Sequence, residues 1–161
     1  MSSATPFRSV LRWLTIMSIT LVSCNAALAA PCATVPADAD KVTETMKQMY
    51  VAATNDDYHL WHQIIAPQFY AYDGGKLYEG DALIDLIKNA HAGGMKLIWT
   101  VQEPKVHLEC DDAWITYINR GSIEDKTGIK PINWLESANL HKTNGEWKLV
   151  FFHSTRVPVA Q

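Results

Sequence analysis

The chain predicts an α+β fold: three N-terminal helices packed on one face of a curved antiparallel sheet. Three observations carry that prediction. Apolar residues recur at helical spacing up to about residue 92. From Met95 onward the apolar period changes to two. Asn144-Gly145 stands between two strand-like runs, a hairpin signal of high specificity.

The first thirty residues stand apart. Arg8 and Arg12 precede a short apolar stretch from Leu14 to Val22, and Ala27-Leu28-Ala29 fits a small-x-small cleavage pattern. The stretch is shorter than the roughly 20 residues a membrane span needs. Residues 1–29 therefore read as a signal peptide, which implies a periplasmic or secreted protein with no membrane span. A second reading stays open: Leu21-Val22-Ser23-Cys24 resembles a bacterial lipobox, which would leave a lipid anchor on Cys24. Residues 30–37 form an N-terminal arm, and 38–158 form one domain, a size that builds a core without a metal staple.

The whole chain carries a net charge of −3. The leader holds two arginines and no acids, so the exported part is more acidic still. No basic patch exists to neutralise phosphates, and nucleic-acid binding is not expected. Cys32 and Cys110 remain after the leader, and in an oxidising compartment they predict one disulfide.

Asp38 and Asp40 suit the start of the first helix. Val42, Met46, Met49, Tyr50 and Ala53 then form its apolar stripe, and Asn55-Asp56-Asp57 interrupts it. A second short helix carries Tyr58, Trp61, Ile64 and Ile65 and stops before Pro67. Residues 69–72 read as a strand and Asp73-Gly74-Gly75 as a turn. Gly80-Asp81 opens a third helix with Leu83, Leu86, Ile87 and Ala90 inward, ended by Gly93-Gly94. Strands follow at about 95–103, 105–110, 113–123, 132–142 and 146–156. Asp111-Asp112 makes a turn, and Glu124 to Pro131 a polar loop.

A two-residue Asn144-Gly145 loop pairs Thr143 with Glu146. Counting outward pairs Leu140 with Leu149, Ala138 with Phe151, Glu136 with His153 and Trp134 with Thr155. That count sets Glu136 and His153 side by side on an otherwise apolar face. A three-residue loop would pair Leu140 with Lys148 and scatter the apolar set. The preceding hairpin adds Tyr117 and Asn119 to the same face. The opposite face carries Trp114, Ile118, Val150 and Phe152, apolar enough to predict a homodimer through the outer sheet face.

At this point the chain resembles the nuclear-transport-factor-two-like (SnoaL-like) superfamily. The order of elements, the Asp73-Gly74-Gly75 turn and the helix opened by Gly80-Asp81 carry the likeness over Asp38 to Pro158. Over about 113–158 it is similar to the association domain of calcium/calmodulin-dependent protein kinase type two and its exported bacterial relatives. The residues that carry this are Ile115-Thr-Tyr117-Ile118, Glu136-Ser137, His141, Gly145-Glu-Trp147, Phe152-His153-Ser154 and Pro158. The resemblance implies a conical domain with a deep pocket, built as dimers. It also implies pocket arginines in the kinase domain, and two of those positions fall on Asn119 and Ala138 here. Ketosteroid isomerases in the superfamily pair an acidic base with a Tyr/Asp oxyanion hole.

Glu136 and His153 are the candidate acid–base pair, with Tyr117 a candidate donor to a ligand carbonyl. The same residues can equally be a buried hydrogen-bonded set that orders the sheet. Trp61, Tyr72, Trp99, Asn119, Trp134, Phe151 and Thr155 are expected to line the pocket. His59 and His62 share a helix face, but no third ligand has recognisable spacing, so no metal is expected. Gly-rich nucleotide motifs are missing from the sequence, so no cofactor is expected either. The leading expectation is an exported dimeric domain that binds a small, largely apolar molecule. A cofactor-free isomerase, dehydratase or cyclase is the alternative, and a homo-oligomeric assembly module the third.

Overall fold

The computed structural model describes residues 35–157. The leader, Cys24, Cys32 and most of the arm lie outside the described residues. Helices α1 (Ala37–Asn55) and α2 (Tyr58–Ile64) come first, then β1 (Ile65–Asp73), β2 (Lys76–Glu79) and α3 (Ala82–Ala92). Strands β3 (Lys96–Ile98), β4 (Val101–Glu109), β5 (Asp112–Asp125), β6 (Gly128–Thr143) and β7 (Glu146–Val157) complete the chain.

The α1 stripe is buried as its spacing predicts: Val42, Met46, Met49, Tyr50 and Ala53 all face inward. Asp38 does not cap the helix. It is buried in the first turn, where its carboxylate accepts from Lys41 at 2.9 Å and from Lys142 of β6 at 2.7 Å. That ion pair ties the helix start to the sheet, and the two ammonium groups hold the Asp38 carboxyl below its usual range. Asp56 turns left-handed at φ 52°, and Asp57 caps α2 by accepting from Leu60 N at 3.0 Å.

The strands form one sheet in the order β2-β1-β7-β6-β5-β3, with β4 also on β5. The sheet is mixed, because β1 runs parallel to β7. β1 and β7 are the first and last strands of the chain and no hairpin links them, so their relative direction is not held antiparallel. The Gly74-Gly75 turn has positive φ at both residues and folds β2 back on β1 as a two-residue hairpin. The expected loop from Glu124 to Pro131 is instead a turn at Lys126-Thr127. Asp125 accepts from Thr127 N at 2.7 Å, and the pairing of β5 with β6 continues to Asp125 and Gly128.

The hairpin before β5 turns at Cys110-Asp111, with Cys110 at φ 56°. Pairing therefore moves by two residues from the expected one. An even shift keeps every side chain on its face, so Val106 and Leu108 pair with Ile115 and Ala113 where the expected partners are Tyr117 and Ile115, and the same faces meet. The expected strand 95–103 is split at Trp99-Thr100. β3 pairs with residues 122–124 of β5, and β4 pairs with residues 112–119.

The last hairpin carries the most consequential departure. Asn144 and Gly145 have φ 54° and 84°, and pairing runs as expected from Thr143–Glu146 to Leu140–Leu149. A β-bulge at Val150 then adds one residue to β7. Beyond it Asn139 pairs with Phe151, Ala138 with Phe152, Ser137 with His153 and Glu136 with Ser154. An odd shift exchanges the faces. Phe152 enters the core at 4% exposure, and Phe151 moves out to pack on Tyr70 at 5.0 Å.

Candidate functional site

The helices and the inner sheet face enclose a cavity of about 680 Å³. α1 contributes Met49, Tyr50 and Ala53, and α3 contributes Leu83, Leu86, Ile87 and Ala90. Trp61 comes from α2, Leu97 from β3, Trp99 from the step after it, and Trp134 and Phe152 from β6 and β7. The wall is therefore mostly apolar, with polar groups gathered in two places.

The first group is buried. Glu136 is 5% exposed and its Oε2 accepts from the Tyr50 hydroxyl and from Asn119 Nδ2, the latter at 3.1 Å. Oε1 accepts from Ser154 Oγ at 3.0 Å. The Tyr50 and Tyr117 hydroxyls are 2.8 Å apart. Asn119 is oriented in turn by Thr100 N, which donates to its Oδ1 at 2.8 Å. Tyr50 also stacks on Trp99 at 5.4 Å and meets Tyr117 edge-on at 6.4 Å. Burial raises the Glu136 carboxyl above its ordinary range, partly offset by donors from Tyr50, Ser154 and Asn119. Burial, reinforced by the neighbouring carboxylate, pushes both tyrosines well above theirs. The network thus holds its protons firmly and presents a fixed polar end to an apolar chamber.

The second group lies at the exposed end. Asp73, at the end of β1, lines the cavity with Gly74, Gly75 and Arg156. Burial raises the Asp73 carboxyl, while the Gly74 N–H and the charge of Arg156 pull it back.

Most of the expected pocket residues converge. Trp61, Trp99, Trp134 and Thr155 line the cavity, and Asn119 and Tyr117 join the Glu136 network. The Glu136–His153 pairing does not form. The bulge sets Ser154 beside Glu136, while His153 is exposed, packs its ring against Tyr72 of the outer face at 6.5 Å, and borders the open end of the cavity with Thr155. Tyr72 and Phe151 also belong to the outer face, 6.0 Å apart. Of the expected outer-face set, Trp114 is exposed and stacks on His107 at 3.8 Å, while Ile118 and Val150 are half-buried. Phe152 belongs to the core instead.

Sequence reasoning missed Tyr50, Asp73 and Ser154. Tyr50 read as one more member of a helical stripe, although a buried tyrosine hydroxyl demands a partner. Asp73 read as a turn residue because it precedes two glycines. Ser154 was hidden by the register. Among the described residues no cluster of His, Cys, Asp and Glu suits a metal ion, and no helix is long and apolar enough to cross a membrane.

A helix layer closing a bent sheet round a deep chamber is the arrangement of NTF2-like proteins. The family model described as the calcium/calmodulin dependent protein kinase II association domain matches residues 38–158, and the chain belongs to that family. The S. rosetta CaMKII hub superposes with a TM-score of 0.63 at 23% identity, covering 78% of this chain and 99% of that one. The association domain of C. elegans CaMKII gives 0.63 at 20% identity, covering 74% and 95%. A candidate dehydratase of the NTF2-like family from Streptomyces avermitilis gives 0.67 at 14% identity, covering 78% and 100%. A candidate ketosteroid isomerase from Shewanella frigidimarina gives 0.58 at 22% identity, covering 70% and 92%. At these identities the likeness is one of fold. No curated protein matches the chain.

Proposed function

We propose that this domain is an exported homo-oligomer that binds a small, largely apolar molecule in its cavity. The observation that carries the reading is the state of the polar groups. Glu136, Tyr50, Tyr117, Asn119 and Ser154 satisfy one another at one end of an apolar chamber of about 680 Å³. That is how a binding site fixes orientation with few polar contacts. An acid–base pair would instead leave its groups open toward a substrate, and His153 pairs with Ser137 rather than standing beside Glu136.

The relatives named as hubs support self-association. The outer sheet face supplies a surface for it, with Tyr70, Tyr72, Trp114 and Leu135 each more than a third exposed. Export rests on the leader, with lipidation at Cys24 as the rival route. A Cys32–Cys110 disulfide would tether the arm to the turn between β4 and β5, and intact mass before and after reduction reads it directly.

A second reading is cofactor-free proton transfer. It is favoured by Asp73, a carboxylate raised by burial that lines the same cavity as the Glu136–Tyr50 network. Native mass spectrometry of the protein purified from its own host tests the leading proposal. The expected result is an oligomer that retains a small molecule, released on unfolding. A ligand-free monomer overturns it.

A further inference from the structure

We propose that the cavity selects a cationic amphiphile, a protonated amine on an apolar or aromatic body, with its ammonium placed against Glu136. This rests on the binding reading above and names the chemical class of the ligand.

The charges around the chamber point that way. Its lining holds two carboxylates, Asp73 and Glu136, one guanidinium, Arg156, and one imidazole, His153, and both basic groups act on Asp73 at the open end. Arg156 is exposed at the open end, and its charge acts on Asp73 there. Glu136 is buried, and every group that donates to it is neutral: Tyr50, Asn119 and Ser154. A carboxyl taken out of water with dipoles alone around it keeps its proton, and ionises when a countercharge reaches it. An anionic ligand reaching the depth of the chamber would add like charge to it. A neutral one would leave it protonated. An ammonium supplies the missing charge and three donors.

The walls suit the same head group. Tyr50 and Trp99 stack beside the carboxylate, and Trp134 stands two residues from Glu136 on the same face of β6. Aromatic faces attract a cation through the ring quadrupole, more strongly when it is desolvated. The body of the ligand then lies along Leu83, Ile87 and Leu97 toward the open end. The chamber volume falls inside the range of sites that take drug-sized molecules.

The test uses three probes of one shape: tryptamine, tryptophol and indoleacetate, titrated calorimetrically into the folded protein as purified. Tryptamine is expected to bind about tenfold tighter than tryptophol, with indoleacetate weakest. Glu136→Gln is expected to bring tryptamine down to the level of tryptophol. Indoleacetate binding as well as tryptamine overturns the proposal, and so does a Glu136→Gln protein that keeps the amine preference. Should that variant fail to fold, the ranking of the three probes on the unmodified protein decides alone. If the probes bind but without preference for the amine, cation selection falls and the binding reading stands. If none of the three binds, the binding reading itself falls.

Discussion

Gly121→Ala isolates one close approach that shapes the cavity wall. Gly121 lies in β5, where the neighbouring chain steps from β3 to β4. A Cβ added there would meet the Ile98 carbonyl oxygen at 1.9 Å, the Ile98 carbonyl carbon at 2.9 Å and Trp134 Cζ3 at 3.2 Å. The first contact is roughly 1.4 Å inside an ordinary C···O approach. The obstructing atom is backbone, so no rotamer change relieves it. Ile98 is held on β5 by pairing with Ser122, and the step beyond it is pinned by Arg120 N donating to Thr100 O at 3.2 Å. Relief therefore requires β3, a three-residue strand, to lift from β5. Overpacking of this kind costs about 1–3 kcal/mol. Each hydrogen bond lost with β3 adds about 1 kcal/mol. Reduced unfolded-state entropy returns at most about 1 kcal/mol. The net loss is about 2 kcal/mol, which lowers Tm by roughly 4–10 °C for a domain of this size. Thermal melting followed by circular dichroism measures it. A Tm equal to or above that of the unmodified protein would refute the close packing of β3 on β5.

Two further outcomes follow from the same structure. Burial raises Glu136 above its ordinary value of 4.5, so the folded state binds its proton more tightly than the unfolded chain does. Its contribution is complete below the unfolded pKa and is lost as pH rises through the folded pKa. The stability difference between Glu136→Gln and the unmodified protein should therefore shift in favour of the variant as pH rises from about 4.5 toward neutrality. Urea unfolding at several pH values measures this, and the opposite slope rules the reasoning out. On the outer face, Leu135 and Phe151 lie among Tyr70, Tyr72 and Ile118. Leu135→Lys with Phe151→Lys should dissociate the oligomer in size-exclusion chromatography with light scattering while leaving the far-ultraviolet spectrum unchanged. A variant that elutes like the unmodified protein places the contact elsewhere.

Much of the site's polar end was legible in the sequence. Tyr117, Asn119 and Glu136 share a face because strand side chains alternate, and that holds whatever the turn does by an even number of residues. The Cys110-Asp111 turn shows the point, since a two-residue displacement left the face intact. The bulge at Val150 shows the converse. Near the turn the expected and observed registers are the same, and they part only beyond Leu149, where β7 continues either with or without a bulge. Choosing between them depends on whether Phe151 or Phe152 fits the core beneath α1 and α2, which pattern alone does not contain.

Helix period, strand alternation, the Asn144-Gly145 hairpin and the presence of a buried carboxylate were set by residues close together along the chain. Local sterics and the two periodicities suffice for those. Which groups meet that carboxylate was decided only in the tertiary structure. Tyr50 is 86 positions away from Glu136 on another element, and Ser154 reaches it only because one extra residue in β7 exchanges the faces. Contacts of that kind are selected by packing density and by the cost of an unpaired polar group in the interior, and both are properties of the assembled core.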